Sequence, residues 1–270
     1  MARASPLQPE ASGSTMDSPV RRASSVLRRD DGVVGQEPGI DRHAGARRHM
    51  VEVDLAGRDI VDPQVLAAME RVPRHLFVDD AHAGQAYDDR ALPIGRGQTI
   101  SQPYIVAFTA QALTVAPGDR VLEVGTGSGY AAAVLAELGT TVITVERDPG
   151  LASTARGRLD ALGYSRVEVI QADGSRGCPD RAPFDVITVA AAAPSVPEPL
   201  VAQLQVGGRL VVPVGGRRSD QRLVRVVRTG EGTEVEDLLP VAFVPLVGQA
   251  GWPDSQTGLS RDPRRRSQPQ

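Results

Sequence analysis

From residue 120 onward, short and almost unbroken apolar runs alternate with helix-like stretches, and that alternation is what most constrains the fold. The segments "RVLEVG" (120–125), "TVITVE" (141–146), "VEVIQAD" (167–173), "FDVITVA" (184–190) and "RLVVPVG" (209–215) read as strands. Between them lie "YAAAVLAELG", closed by Gly139, "PGLASTARGRLDALG", with Pro149 near its start, and "PEPLVAQL". Strands that are apolar on both faces and followed by helices predict a parallel sheet covered on both sides. The later runs "QRLVRVVRTG", "EVEDLL" and "VAFVPLVG" follow strand upon strand, so the sheet is expected to finish antiparallel. Upstream, Asp62 and Pro63 predict the start of a helix, with Val65, Leu66, Met69 and Val72 on one face and Pro73 as its stop. A second helix carries Ile105, Val106, Thr109 and Leu113 on one side.

Composition sets the outer limits. A chain of 270 residues holds one sizeable α/β domain with loose ends. Residues 1–46, rich in Ser, Pro, Gly and Arg, bury too little to offset their ordering entropy and are expected to be a disordered extension. Residues 47–252 form the expected folded domain, and 253–270 a second disordered tail. Every basic residue is arginine; with no lysine, Schiff-base chemistry and the phosphate-binding lysine of a P-loop are excluded. The lone Cys178 and four scattered histidines offer no disulfide and no metal-ligand spacing, so no metal is expected. A formal charge of −3 gives no general attraction to nucleic acid or anionic membrane, and the arginines of the tails read as solvated. No apolar run approaches the ~20 residues of a membrane span. A cytoplasmic protein, monomeric by default, is the expectation.

Three successive strand ends face one crevice. "VLEVGTGSGY" is strand, glycine turn and helix, and Gly125, Gly127 and Gly129 allow close backbone approach by a ligand at the carboxyl edge of the sheet. Glu146 ends the next strand, where an acidic side chain accepts from ribose hydroxyls. Asp173 ends the third and is placed to meet an adenine amino group. The turn is GxGxG and lacks the GxGxxG spacing that seats a pyrophosphate on a helix N-terminus. A nucleoside cofactor without phosphates fits better: S-adenosyl-L-methionine, whose amino group Glu123 could meet. Solvated loop acids or helix caps are the plainer reading of Glu146 and Asp173.

The segment "LPIGRGQTISQPYIVAFTAQAL" (92–113) adds a puzzle. It offers Thr99, Ser101 and Gln102 but no His, Cys or carboxylate to activate a hydroxyl. On the residues alone, Ser101 serves a reaction or caps the following helix, with nothing to separate the two.

Together, "AYDDRALPIGRGQTISQPYIVA", "VLEVGTGSGY", "APFDVITVAAAAP", "GGRLVVPVG", "FVPLVG" and "VPRHLFV" resemble the protein-L-isoaspartate O-methyltransferase family over roughly residues 50–252. The resemblance implies a Rossmann-like S-adenosyl-L-methionine-dependent methyltransferase fold with antiparallel C-terminal strands. It implies methyl transfer to the free α-carboxylate of L-isoaspartyl residues in damaged proteins and peptides, those being the partners. By that resemblance the active-site serine falls on Ser101, with Thr99 and Gln102 beside the substrate. The cofactor contacts fall on Gly125, Thr126, Gly127, Ser128 and Gly129, on Glu146, and on Asp173 and Gly174. Ala172 stands where the family often has glycine, and the long N-terminal extension is unusual. The loop then needs no base. A free α-carboxyl, with a reference pKa of about 3.3–3.7, is already ionised near neutral pH. Orientation alone supplies ~7–11 kcal/mol when the reacting atoms are held in line.

Three other readings remain at this level: a tailoring enzyme that esterifies an aspartate of a ribosomal peptide precursor, an NAD-dependent oxidoreductase, and a non-catalytic module on the same fold.

Overall fold

The computed structural model describes residues 41–254. The expected extension up to residue 40 and the expected tail from residue 255 lie outside the described residues. Residues 41–46, which the sequence assigns to the extension, are instead a turn and the start of helix α1 (Ala44–His49). Polar contacts fix this start: Arg47 pairs with Asp41 at 2.6 Å and donates to the Tyr87 hydroxyl at 3.2 Å. A wider helical turn, Met50–Leu55, continues α1 and buries Met50 and Leu55.

Helix α2 (Pro63–Arg71) begins as the sequence predicts. The Asp62 carboxylate accepts from the amides of Gln64 and Val65, and Pro63 occupies the first position, where no N–H is needed. The puzzle segment contains two elements that periodicity does not reveal. Strands β1 (Leu92–Pro93) and β2 (Thr99–Ile100) pair antiparallel, Leu92 opposite Ile100, and enclose a tight loop. Three consecutive residues of that loop, Gly95, Arg96 and Gly97, hold positive φ angles of 83°, 53° and 69°. Helix α3 (Pro103–Ala112) follows.

The alternating half forms one seven-stranded sheet. In chain order its elements are β3 (Arg120–Val124), α4 (Tyr130–Glu137), β4 (Thr141–Glu146), α5 (Pro149–Ala161), β5 (Val167–Gln171), β6 (Phe184–Val189), α6 (Glu198–Ala202), β7 (Leu204–Val214), β8 (Gln221–Arg228) and β9 (Thr233–Val241). The spatial order is β5-β4-β3-β6-β7-β8-β9. Strands β3 to β7 run parallel, and β8 and β9 close the sheet antiparallel, as expected from the uninterrupted run of strands. The chain winds outward from β3 to β5, then crosses to the other side of β3 to lay down β6. The order therefore reverses between β3 and β6, and a ligand crevice opens at such a reversal.

Strand pleating sends alternate residues to opposite faces. In β3, Val121 joins the core cluster under α2, α3 and α4, whereas Leu122 and Val124 join the cluster on the other face with Leu200, Leu204 and Leu246. Each fully buried Leu or Val contributes on the order of 1.5–3 kcal/mol. Glu123 thus points to the same side as Val121, where Thr144 of β4 and Thr188 of β6 stand beside it in register.

One expected strand is corrected. "VAFVPLVG" leaves the sheet after Val241 and makes only isolated bridges, Ala192 with Pro245 and Val247 with Trp252. Pro245 has no N–H for a ladder. The segment instead crosses the strand ends: the Leu246 amide donates to the Ala192 carbonyl, and the Ala192 amide to Val244.

Candidate functional site

The glycine turn after β3 sits at the reversal point. Gly127, at φ +54°, lies under the β1–β2 loop: a Cβ there would come 3.3 Å from Ile94 Cδ1. Gly129, at φ +90°, is the N-cap of α4, and a Cβ there would come 3.1 Å from Leu159. The turn is braced from several sides. The Gly125 amide donates to the Val145 carbonyl at 2.8 Å, the Thr126 and Thr144 hydroxyls meet at 2.6 Å, and Arg158 of α5 donates to the Ser128 carbonyl at 2.9 Å.

Glu146 lies where the sequence places it, at the end of β4 beside the turn. One carboxylate oxygen accepts from the Gly127 amide at 3.0 Å and the other from the Asp148 amide at 2.9 Å. Each oxygen keeps a second lone pair for a ligand hydroxyl. Asp173 follows β5 on the neighbouring strand. It accepts from the Ser175 amide and hydroxyl at 3.0 and 2.7 Å and from the Gln249 amide at 2.8 Å. Partial burial pushes its carboxyl up, but those donors outweigh burial and hold it below the usual carboxylate range. Gly174 packs so closely on Val124 that a Cβ would sit 2.7 Å from its methyl. Both acids therefore combine the plainer structural reading with an open acceptor position.

Sequence reasoning missed the segment that lies against Asp173. Gly248 approaches so closely that a Cβ would fall on the Asp173 carboxylate. Trp252, uninterpretable in the sequence, anchors this crossing by donating from its indole N–H to the Ala192 carbonyl at 3.0 Å. The conspicuous signal was "FVPLVG", whose proline separates a crossing segment from a strand.

On the opposite side of the crevice, Ser101, Glu123, Thr188 and Ala190 line one pocket with Val106 and Phe243, enclosing about 430 Å³ of space continuous with solvent. Here the choice between cap and site becomes physical. The cap residue of α3 is Gln102, and no side chain at that position caps the helix. Pro103 has no N–H to satisfy, and the next amide, that of Tyr104, donates to Asp89 at 2.9 Å. Asp89 also accepts from Gln102 Nε2 at 2.7 Å. Among the described residues the Ser101 hydroxyl makes no hydrogen bond, while its carbonyl accepts from Arg74 at 2.8 Å. Thr99 is exposed, and the amide nitrogen of Gln102 is committed to Asp89. From the loop tip, Arg96 reaches across to Asp148 at 3.1 Å, one residue beyond Arg147 and two beyond Glu146.

Glu123 is the most unusual group. It is 1% exposed, and its one partner is the Thr144 hydroxyl, which donates at 2.5 Å. Burial, with the negative Glu146 adding, pushes its carboxyl up to about 8 against the Thr144 bond. A buried carboxyl facing a pocket, with no cation beside it among the described residues, suits a cationic ligand. The glycine cradle, two acids with free acceptor positions and this carboxyl together fit a nucleoside with an amino-acid arm and a positive sulfur. His75 and His82 take no part: His75 contacts Tyr87 at 2.8 Å and stacks on His43, and His82 pairs with Asp79. Among the described residues no cluster of metal ligands occurs.

Comparisons with known proteins point to one family. The family profile described as protein-L-isoaspartate(D-aspartate) O-methyltransferase matches residues 46–251. A protein of Pelobacter propionicus named protein-L-isoaspartate O-methyltransferase 2 is 54% identical over 216 residues, covering 80% of this chain and 96% of the relative. A protein-L-isoaspartate O-methyltransferase 1 of Geotalea uraniireducens is 54% identical over 210 residues, covering 77% and 96%. Among solved structures, one named protein-L-isoaspartate O-methyltransferase superposes with a TM-score of 0.70 at 28% identity, over 76% of this chain and 67% of that one. Another, a Plasmodium falciparum protein of the same name in complex with S-adenosyl-L-homocysteine, superposes with a TM-score of 0.65 at 26% identity, over 73% and 96%.

Proposed function

The chain belongs to the protein-L-isoaspartate(D-aspartate) O-methyltransferase family, and from that premise we propose how its residues divide the work. The enzyme transfers a methyl group from S-adenosyl-L-methionine to the free α-carboxylate of L-isoaspartyl residues in damaged proteins and peptides. The relatives favour this repair activity over tailoring of a ribosomal peptide precursor. When bound, S-adenosyl-L-methionine supplies a methyl on a positively charged sulfur, which a carboxylate oxygen takes as the thioether leaves.

In our reading the Gly125–Gly129 turn, with Thr126 and Ser128, cradles the amino-acid arm. Glu146 accepts from the ribose, Asp173 and Gly174 meet the base, and Glu123 faces the cationic end. The Ser101 hydroxyl donates to one oxygen of the isoaspartyl carboxylate and leaves the other oxygen pointed at the methyl. A neutral donor suits this task, because a guanidinium would stabilise the carboxylate and blunt its attack. Thr99 and the side-chain Oε1 of Gln102 border the substrate backbone. The observation that carries the proposal is the division of labour at α3. Asp89 takes the amide that needs capping, so the Ser101 hydroxyl remains free at a pocket shared with Glu123.

Residues 47–252 are our proposed catalytic domain, acting as a monomer in the cytoplasm. No helix among the described residues is long and apolar enough to cross a membrane. The test is mass spectrometry of a synthetic isoaspartyl peptide and its aspartyl twin. A methyl ester on the isoaspartyl peptide alone is expected; esterification of the ordinary aspartate alone would sink the repair activity.

A further inference from the structure

Arg74 lies outside every role assigned so far. It opens the short turn Arg74–Phe77 after α2, and its side chain is 0% exposed. Its Nε donates to the Ala86 carbonyl at 2.7 Å and Nη2 to the Ser101 carbonyl at 2.8 Å, while Nη1 has no partner. Among the described residues no carboxylate pairs with it. The guanidinium carbon instead lies 4.6 Å from the ring centre of Tyr130, the first residue of α4 and the one directly after Gly129. Phe77, from the same turn as Arg74, meets Tyr130 edge-on at 5.7 Å, and Arg158 lies 5.8 Å from the Phe77 ring while holding the Ser128 carbonyl.

Burying a guanidinium without a counter-ion is expensive, and well-packed apolar residues often replace such groups with a gain in stability. The position of this charge gives it a use. One prong holds the loop that carries Ser101, and the guanidinium carbon sits over the ring of Tyr130, the first residue of the helix that follows the glycine turn. The fork geometry matters: a lysine ammonium is a compact point charge and cannot hold both carbonyls from fixed, diverging N–H groups while keeping the same place over the Tyr130 ring.

We infer that Arg74 is a positioning residue for methyl transfer, fixing the distance and angle between the Ser101 loop and the cofactor turn through simultaneous contacts to the Ser101 carbonyl and the Tyr130 ring. The inference rests on the substrate role of Ser101 proposed above, and the variants separate the two claims. In-line transfer is steeply sensitive to placement, and a misplacement near 1 Å costs about 100-fold.

The experiment uses the full chain, with turnover on an isoaspartyl peptide and S-adenosyl-L-homocysteine affinity by calorimetry, each expressed per folded molecule. Arg74→Met is expected to lower kcat about 100-fold while the dissociation constant changes less than about 3-fold. Arg74→Lys, which keeps the charge and reaches one carbonyl, is expected to lose about 10-fold, and it decides the matter if the Met variant does not fold. Combining Arg74→Lys with Ser101→Ala gives the sharpest readout, because a residue acting through Ser101 adds little to the loss already caused by its removal. Wild-type kcat in a folded Arg74→Lys protein overturns the inference, as does a double variant whose losses multiply in full. Full activity in Ser101→Ala alone refutes the serine role instead.

Discussion

The two sides of the crevice solve the same placement problem in opposite ways. On the proposed cofactor side the atoms assigned to binding are also structural atoms. Glu146 braces Gly127 and Asp148 with the same carboxylate proposed to accept from the ribose, and Asp173 ties down Ser175 and Gln249 with the one proposed to meet the base. On the substrate side the two tasks are separated. The backbone of Ser101 is gripped by Arg74, Asp89 holds its neighbours, and the hydroxyl makes no hydrogen bond among the described residues. A side that recognises one invariant cofactor can share its atoms between folding and binding. A side proposed to hold an isoaspartyl peptide keeps its proposed donor free.

That contrast is easiest to break at Ser101. Ser101→Ala is expected to reduce kcat by roughly 100-fold, the cost of letting a reacting oxygen drift about 1 Å from its in-line position. The melting temperature and cofactor affinity should remain at wild-type values. A variant that melts several degrees lower at full specific activity would show that the hydroxyl was structural after all. Next in size is Glu146→Ala, which removes charged hydrogen bonds of the kind worth ~1.5–3 kcal/mol each. S-adenosyl-L-homocysteine should bind about 10- to 100-fold more weakly, and the melting temperature should fall with it, because the Gly127 and Asp148 amides lose their acceptor. Calorimetry reporting weaker binding at undiminished stability would separate what the comparison joins. Asp173→Ala should behave in the same coupled manner at about 10-fold. Its loss of stability should be traceable to the 244–252 crossing, for instance as a shift in Trp252 fluorescence; an unchanged dissociation constant would remove Asp173 from the cofactor site.

The same contrast explains what the sequence could and could not reveal. The places of Glu146 and Asp173 in the fold were legible because each ends an apolar run, and in a parallel sheet such ends converge on one edge. Register then does the rest, aligning Glu123 with Thr144 and Thr188. The substrate side hides its supports. Arg74 reads as one more polar residue in "VPRHLFV", since its partners are the backbone carbonyls of Ala86 and Ser101, 12 and 27 positions away, and a carbonyl carries no residue signature. Asp89 likewise reaches 15 positions to the Tyr104 amide, so the sequence left Ser101 as an equal candidate for the cap. The β1–β2 pairing was invisible because two residues per strand carry no periodicity. "VAFVPLVG" misled for the converse reason: its unbroken apolar run, rich in Val, suits a strand, but Pro245 and the bonds to Ala192 turn it across the sheet.

Glu123 sharpens the comparison with the smallest expected effect, because it stands where the two sides meet and its only brace is a hydroxyl. Its carboxyl titrates at about 8 in the folded protein against 4.5 when unperturbed, so the folded state holds the proton more tightly than the unfolded chain. The stability this contributes is complete below the unfolded value and is lost as pH rises through about 8. A permanently neutral side chain escapes that loss. Glu123→Gln should therefore match wild type in calorimetric melting near pH 5 and surpass it progressively toward pH 8.5. A cationic ligand reverses the balance by favouring the ionised carboxylate, so saturating S-adenosyl-L-methionine should shrink the difference and bind the variant several-fold more weakly. A gap between the two proteins that stays constant with pH, or that widens when the cofactor is added, would mean that Glu123 is a neutral core group shared by neither side.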